Sequence, residues 1–446
     1  STIAIGGAAL NAAATQTGTI AIGHSALGAL TSGIGNVAIG YQAMDANQTS
    51  DYNTAVGYDA LGAVNGDGSG HNTGVGRVAG FSLTDGTGNT YMGSGAGYYN
   101  AEGDNNTYIG FSAGQGGAGN NSGNTAVGKD AMLDVTTGGG NTAVGWLALD
   151  NMTDGSNNVA MGYHALSTAV SPTNTVAIGM DAIGDGNLST AGTVAIGKEA
   201  GKALSSSLGS IAIGLGALKT HTTGANNMAI GYGAMNDTDG TDITSGSAST
   251  VLGSNNNIFI GFDSGGGNWC NGSAAAASNY NVAIGNYTMD AILTGALNNT
   301  AVGYSALSAL TTGADNVASG FQSLYANTEG VRNVASGMYA LYNNTTGDRN
   351  TASGTYALYI NTEGDKNIAS GYAALYAVST GDNNIGIGVD SGRTGSPGGN
   401  ITTADNQLCL GDENITDAHV QVDWTVASDQ RDKTDFTALD LGLDFV

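Results

Sequence analysis

One nine-residue phrase recurs along almost the whole chain at a fixed interval. Asn53-Thr54-Ala55-Val56-Gly57-Tyr58-Asp59-Ala60-Leu61 returns at residues 141–149 with Trp146 for the tyrosine, at residues 158–166, and from its second residue at 300–307. Its glycine falls at Gly6, Gly23, Gly40, Gly57, Gly76 and on to Gly231, then from Gly285 to Gly388, in steps of 17 and occasionally 18 or 19 residues. A period this strict describes stacked copies of one unit, the signature of a solenoid. The unit is too short for two helices, and its apolar residues lack helical spacing.

With the glycine as position 0, Ala stands at −2, Ile, Val, Met, Leu or Ser at −1, and Ala-Leu or Ala-Met at +3 and +4. A polar run such as Thr311-Thr312-Gly313-Ala314-Asp315-Asn316 then leads to the next unit. This predicts two short strands per coil joined by turns, hence an all-β parallel solenoid of about 22 coils. At strand spacing such a rod is roughly 100 Å long. The small residue at −2 points into a space that admits little more than a methyl group, and the glycine allows a bend or a close backbone approach. Asn recurs at −4, from Asn36 and Asn53 to Asn367 and Asn384. Stacked at one corner, these amides are expected to form a ladder along the rod, and asparagine also favours turns.

Two departures from the repeat carry information. Ser319, Ser336, Ser353 and Ser370 replace the apolar residue at −1, and the same four coils carry Tyr325, Tyr342, Tyr359 and Tyr376 at +5. The pairing predicts that −1 and +5 share a layer, with the ring filling what serine leaves empty; duplication of one variant coil would copy both residues without contact. Gly74, Tyr91 and Tyr108 replace Ala at −2, with the tyrosines facing outward or the coil widening around them.

In chain order, residues 1–232 form a first repeat array. Residues 233–280 break the rhythm, with altered coils at Val251-Leu252-Gly253 and Ile258–Ile260 and an outward loop carrying Trp269 and Cys270. Residues 281–391 resume the array, 392–427 are a transition ending in an alternating strand, and 428–446 resemble nothing before them. The first residues already lie inside a coil, so the chain is expected to continue upstream, because a solenoid end needs a cap.

Composition removes several function classes. A net charge of −25 disfavours nucleic acid and anionic membrane as partners and keeps a long rod soluble. No apolar run is long enough to span a bilayer. Cys270 and Cys409 are too far apart in sequence to suggest a disulfide, no CxxC pair suggests zinc, and the five His lack ligand spacing and are expected on solvated turns or faces. Acidic loops such as residues 65–70 and 102–104 could bind calcium but lack EF-hand spacing. Gly93-x-Gly-x-Gly97 stands without a P-loop Lys, so no nucleotide cofactor is expected.

Two resemblances give these features a context. The Asn-(Thr/Val)-Ala-(Val/Ile)-Gly-x-x-Ala-Leu units across most of residues 1–391 resemble the head repeats of trimeric autotransporter adhesins. That likeness implies a left-handed β-roll with three chains around one axis. Ser428-Asp429-x-Arg431-x-Lys433, followed by Thr434-Asp435-Phe436, resembles the opening of the endosialidase-type intramolecular chaperone that ends many phage tail fibres and tailspikes. It implies assembly as a trimer followed by self-cleavage, with Ser428 as nucleophile and Lys433 as base where that domain is complete. The plain alternative is that Ser428 caps a turn and Lys433 is solvated among Asp429, Asp432 and Asp435.

Together these imply a homotrimeric phage tail fibre, extracellular on the virion, without catalytic turnover or cofactor. Its expected partners are a host-surface glycan or protein receptor, with Trp269 as the candidate contact unless, as is commoner for a loop tryptophan, its ring folds back on its own rod, and other tail or baseplate proteins through an upstream region. A bacterial surface adhesin of the autotransporter kind is the second reading. A glycan-degrading tailspike is the third and needs paired carboxylates on a groove; Glu329 and Glu363 recur at one coil position as ordinary turn residues.

Overall fold

A computed structural model of the chain describes residues 1–12, 17–66, 70–117, 119–238, 253–267, 269, 276–396, 398–417 and 419. Twenty-three strands of three residues each, from β1 (Ile3–Ile5) to β23 (Leu408–Leu410), pair in parallel with their sequence neighbours as one sheet. Register never slips: Ala38 faces Ala55, and Ala335 faces Ala352. The chain is therefore a single parallel β-solenoid. No helix among the described residues is long and apolar enough to cross a membrane.

Each coil has one strand, at −3 to −1, where the sequence predicts two. The Ala-Leu segment is built from left-handed residues instead. Gln42 and Met44 at +2 and +4 have φ of +52° and +48°, and Tyr339 and Leu341 have +59° and +51°. Left-handed backbone costs an L-residue roughly 1–2 kcal/mol and cannot continue a strand. Cross-coil hydrogen bonding offsets that cost. The Gln42 N–H donates to His24 O in the preceding coil at 2.9 Å, and the Met44 N–H to Ala60 O in the following coil at 3.0 Å. At position 0 the requirement for glycine is absolute. Gly40 has φ +143°, and a Cβ there would sit 2.2 Å from the Gly57 carbonyl oxygen.

The interior of a coil is thin. In a representative coil Asn333, Ala335, Ala340, Leu341 and Asn344 are fully buried. The asparagine ladder at −4 exists. The Asn333 N–H donates to Asn316 Oδ1 at 2.9 Å, and the Asn350 N–H to Asn333 Oδ1 at 2.9 Å. Each amide also clamps its corner, as when Asn333 Nδ2 donates to Gly347 O at 2.7 Å. Ladder and turn are thus the same side chain. A second ladder runs at +7, where Asn344 Nδ2 donates to Asn327 Oδ1 at 2.8 Å and Asn361 Nδ2 to Asn344 Oδ1 at 2.7 Å.

The irregular segment 233–280 does not interrupt the stack. Its strand β15 (Ile258–Ile260) pairs with β14 (Met228–Ile230) and β16 (Val282–Ile284). Gly253 lies against Gly224, in the turn before β15, and Val251 and Leu252 lie outside the described residues.

Of the two arrangements expected for Tyr91 and Tyr108, the outward one is overturned: both point inward and are fully buried, as is Phe259 at the same position. Their coils have Gly97, Gly114 and Gly265 at +4, where a Cβ would lie 2.4–2.6 Å from the ring. Leucine lost at +4 makes room for an aromatic ring gained at −2. The two tyrosine rings stack at 5.5 Å, and their hydroxyls bond to Asn100 and Asn121. The serines at −1, by contrast, are exposed on the strand face and leave no internal space to fill.

The −2/+4 exchange predicts a coupled pair. Tyr91→Ala empties a buried ring-sized space and should cost about 3–5 kcal/mol. Gly97→Leu should destabilise by driving its side chain into the ring. Tyr91→Ala/Gly97→Leu restores the common Ala–Leu arrangement and should recover much of the loss. Urea unfolding of the four proteins measures the coupling; simple additivity would show that the two positions do not share space.

Candidate functional site

Because −2 points in, −3 and −1 point out, and the same residue types line up coil after coil. Val317, Val334 and Ile368 at −3 are 40–43 % exposed, and Ile284, Val302 and Ile387 at −1 are 40–48 % exposed. The strand face is thus a largely aliphatic stripe, interrupted by Thr at −3 in eight coils and by Ser at −1 in four. Single exposed apolar residues are ordinary, but a contiguous patch of this length marks an interaction surface.

Beside it runs a column at +1, rich in aromatic residues. His24, Tyr41 and Tyr58 stack at 5.3 and 5.2 Å, Tyr232 on Phe262 at 5.0 Å, and Tyr304 on Phe321 at 5.3 Å. Trp146 belongs to this column, exposed, with Lys129 Nζ 5.3 Å from its ring centre and Tyr163 at 5.2 Å. A third column, at +5, stacks Tyr325, Tyr342, Tyr359 and Tyr376 at 5.0–5.3 Å with ring planes within 12°. Tyr339 and Tyr356 meet it edge-on, and the Arg393 guanidinium caps it 4.9 Å from Tyr376.

The sequence-predicted receptor contact lies elsewhere. Trp269 is 3 % exposed and rests on Phe259 at 5.5 Å, and its Nε1 donates to Gly265 O at 3.2 Å. Its ring closes the inside of the rod and has no free face to stack on a sugar. Of the two tryptophans among the described residues, Trp146 is the one that meets solvent, and its place at +1 in the repeat is the signal that identifies it. Ser428, Lys433 and Cys270 lie outside the described residues.

Among the histidines, His221 departs from expectation. It is buried at +7, accepting from Asn227 Nδ2 at 3.2 Å and paired through Nδ1 with Thr238 Oγ1 at 2.9 Å. Cys409 is buried, and burial raises its thiol pKa. No group of three or more His, Cys, Asp or Glu among the described residues could hold a metal ion. Asp104, from one of the loops considered for calcium, accepts the Thr87 N–H at 2.7 Å. Glu329 and Glu363 are exposed turn residues. At the C-terminal end a cleft of about 270 Å³ is lined by Asp390, Arg393, Asp412, Glu413 and neighbouring polar residues. Arg393 is engaged with Asp390, and hydrogen bonds from Asn414 hold the Asp412 carboxyl below its usual range.

The chain matches no known family model, and no curated protein matches it.

One carboxylate is strongly perturbed. Burial pushes Asp150 up to about 6, opposed by its own backbone and by His164 and assisted by Asp134. Its Oδ1 is buried without a hydrogen-bond partner. A carboxyl that holds its proton more tightly when folded stabilises the fold as pH falls. The gain should develop from about pH 6 down to the unfolded value of about 4, and be lost as pH rises through 6. Urea midpoints measured across that range should show it, and Asp150→Asn should flatten the dependence while raising stability at pH 7.

Proposed function

We propose that this chain is the shaft of a homotrimeric phage tail fibre, a left-handed β-roll that carries an adhesive surface to a host cell. The observation that carries the reading is the aliphatic stripe at −3 and −1. Burying one Val or Ile completely contributes about 1.5–3 kcal/mol. Even a fraction of that per coil, over some twenty coils, exceeds the roughly 4–15 kcal/mol that association costs. An elongated, in-register stripe fits another copy of the same rod better than a globular partner. Threefold closure consumes the stripe on every chain and leaves no open edge for further growth. The resemblance of the repeats to trimeric adhesin heads supports three as the number. The motif at Ser428–Phe436 supports a tail fibre over a bacterial surface adhesin. The fibre's work is reach and adhesion to a surface glycan or protein, extracellular and without cofactor, and a tailspike hydrolase has less support because Glu329 and Glu363 face solvent from separate turns.

Sedimentation equilibrium tests the assembly. The expected mass is three times the 44.0 kDa of one chain, and labelled trimer should adhere to a susceptible bacterium. A folded monomer at native mass overturns the reading, and release of reducing ends from a bound polysaccharide would put the hydrolase in its place.

The same reading gives Ser428 and Lys433 a single task on their own chain. Lysine removes the serine proton, the oxygen attacks a nearby peptide carbonyl, the C–N bond breaks as the lysine returns the proton to the departing amine, and water hydrolyses the resulting ester to free the carboxylate and the serine hydroxyl. Expressed with its complete C-terminal region, wild type should split near residue 428. Ser428→Ala and Lys433→Ala should each remain whole. A wild-type chain that stays uncut after trimer assembly would reduce the motif to a structural junction.

A further inference from the structure

Ser at −1 and Tyr at +5 change together at both ends of one block. The preceding coil has Val302 and Ser308, the next four have Ser and Tyr, and the following coil has Ile387 and Arg393. The implication runs one way, since Phe81 and Tyr98 stand at +5 over Val75 and Met92. Within one chain this pairing has no packing account. The serines sit on the exposed strand face. The rings of Tyr342 and Tyr359 pack on other tyrosines and are half-buried. Serine opens a shallow notch, one aliphatic side chain deep and four coils long, in a −1 column that is otherwise apolar. The tyrosine column is a ridge of the same length in the same four coils.

From this we infer that the ridge of one protomer seats in the notch of the next, so that Tyr325, Tyr342, Tyr359 and Tyr376 cover Ser319, Ser336, Ser353 and Ser370 of a second copy. The inference rests on the trimeric reading and specifies which faces meet. Ridge and notch extend over the same coils, so they match only when the chains stand level, without axial offset. A three-chain ring in which each ridge meets the next chain's notch is a head-to-tail interface that closes. Aromatic rings over a small polar residue give large contact area at little entropic cost. The block would set the register of the whole fibre, because the aliphatic stripe elsewhere looks alike from coil to coil and permits slippage by one coil.

Paired cysteines test this in a chain carrying Cys270→Ser and Cys409→Ala. Ser353→Cys and Tyr359→Cys are introduced together and singly, and Ser336→Cys with Tyr342→Cys repeats the test one coil away. Circular dichroism and sedimentation confirm that each protein is folded and assembled before mild oxidation. The expected product of each double variant is a covalent trimer on a non-reducing denaturing gel. One cysteine per chain can link at most two chains, so single variants that form no covalent dimer exclude 353–353 and 359–359 bonds and assign the linked trimer to bonds between 353 of one chain and 359 of another. A disulfide within one chain, or folded trimers that do not link at either pair, overturns the ridge-and-notch contact and leaves trimerisation standing. A parent chain that sediments as a folded monomer overturns the trimeric reading itself.

Discussion

The structure depends on one constraint, that every coil must lie directly over the one before it. At position 0 the backbones approach so closely that no methyl group fits between them: a Cβ added at Gly40 would lie 2.2 Å from the Gly57 carbonyl oxygen. At the −4 corner an asparagine side chain receives the next coil's N–H and ties down its own turn. Both devices work only at zero offset. This explains why extra residues accumulate where they do. The Asn53 to Asn72 step has 19 residues, yet the Asn72 N–H still donates to Asn53 Oδ1 at 3.0 Å. Across the long excursion before β15, the Asn257 N–H still reaches Asn227 Oδ1 at 3.1 Å. Loops absorb length because closing a longer loop costs little, whereas a buried amide left without its partner costs about 1–3 kcal/mol.

A coil that narrow buries few apolar side chains, and the consequences run outward. Most of its interior is alanine, leucine and amide, so volume is rationed between facing positions, and the ring at −2 appears only where +4 is glycine. The strand's pleat then places Ile and Val on the outside. Apolar residues sit there because the inside has no space for them. An outer stripe of this kind is a liability for a lone rod and an interface for an assembled one. The net charge of −25 opposes indiscriminate association of such stripes.

The acids illustrate how a repeat turns chemistry into architecture. Asp348, Asp365, Asp382 and Asp405 stack in successive coils, and each accepts a backbone N–H from the coil before at 2.7–2.8 Å. Carboxylates used this way close turns. Asp150 differs because its coil buries an oxygen without a donor, which makes it a weak point that responds to pH. Surface chemistry concentrates in the aromatic columns, where rings spaced at the coil repeat meet face to face, as Tyr41 and Tyr58 do, or edge-on, as Tyr287 and Tyr304 do.

Sequence alone determined the period, the solenoid, the need for glycine at 0, the inward alanine at −2 and the asparagine corner. Each follows from residue type at a fixed spacing, and spacing survives without coordinates. Tertiary structure decided which way the exceptional residues point. For Tyr91, Tyr108 and Trp269 the sequence left outward and inward placements open, and all three turn inward. The reason is that volume in a closed coil is shared between positions six residues apart, so a ring at −2 is legible only with the glycine at +4. The missing second strand has a similar cause, since nothing in Ala-Leu announces left-handed backbone at +2 and +4. Covariation of Ser with Tyr was visible in the sequence. Its meaning was not, because the outward direction of serine comes from the pleat, which only the folded coil displays.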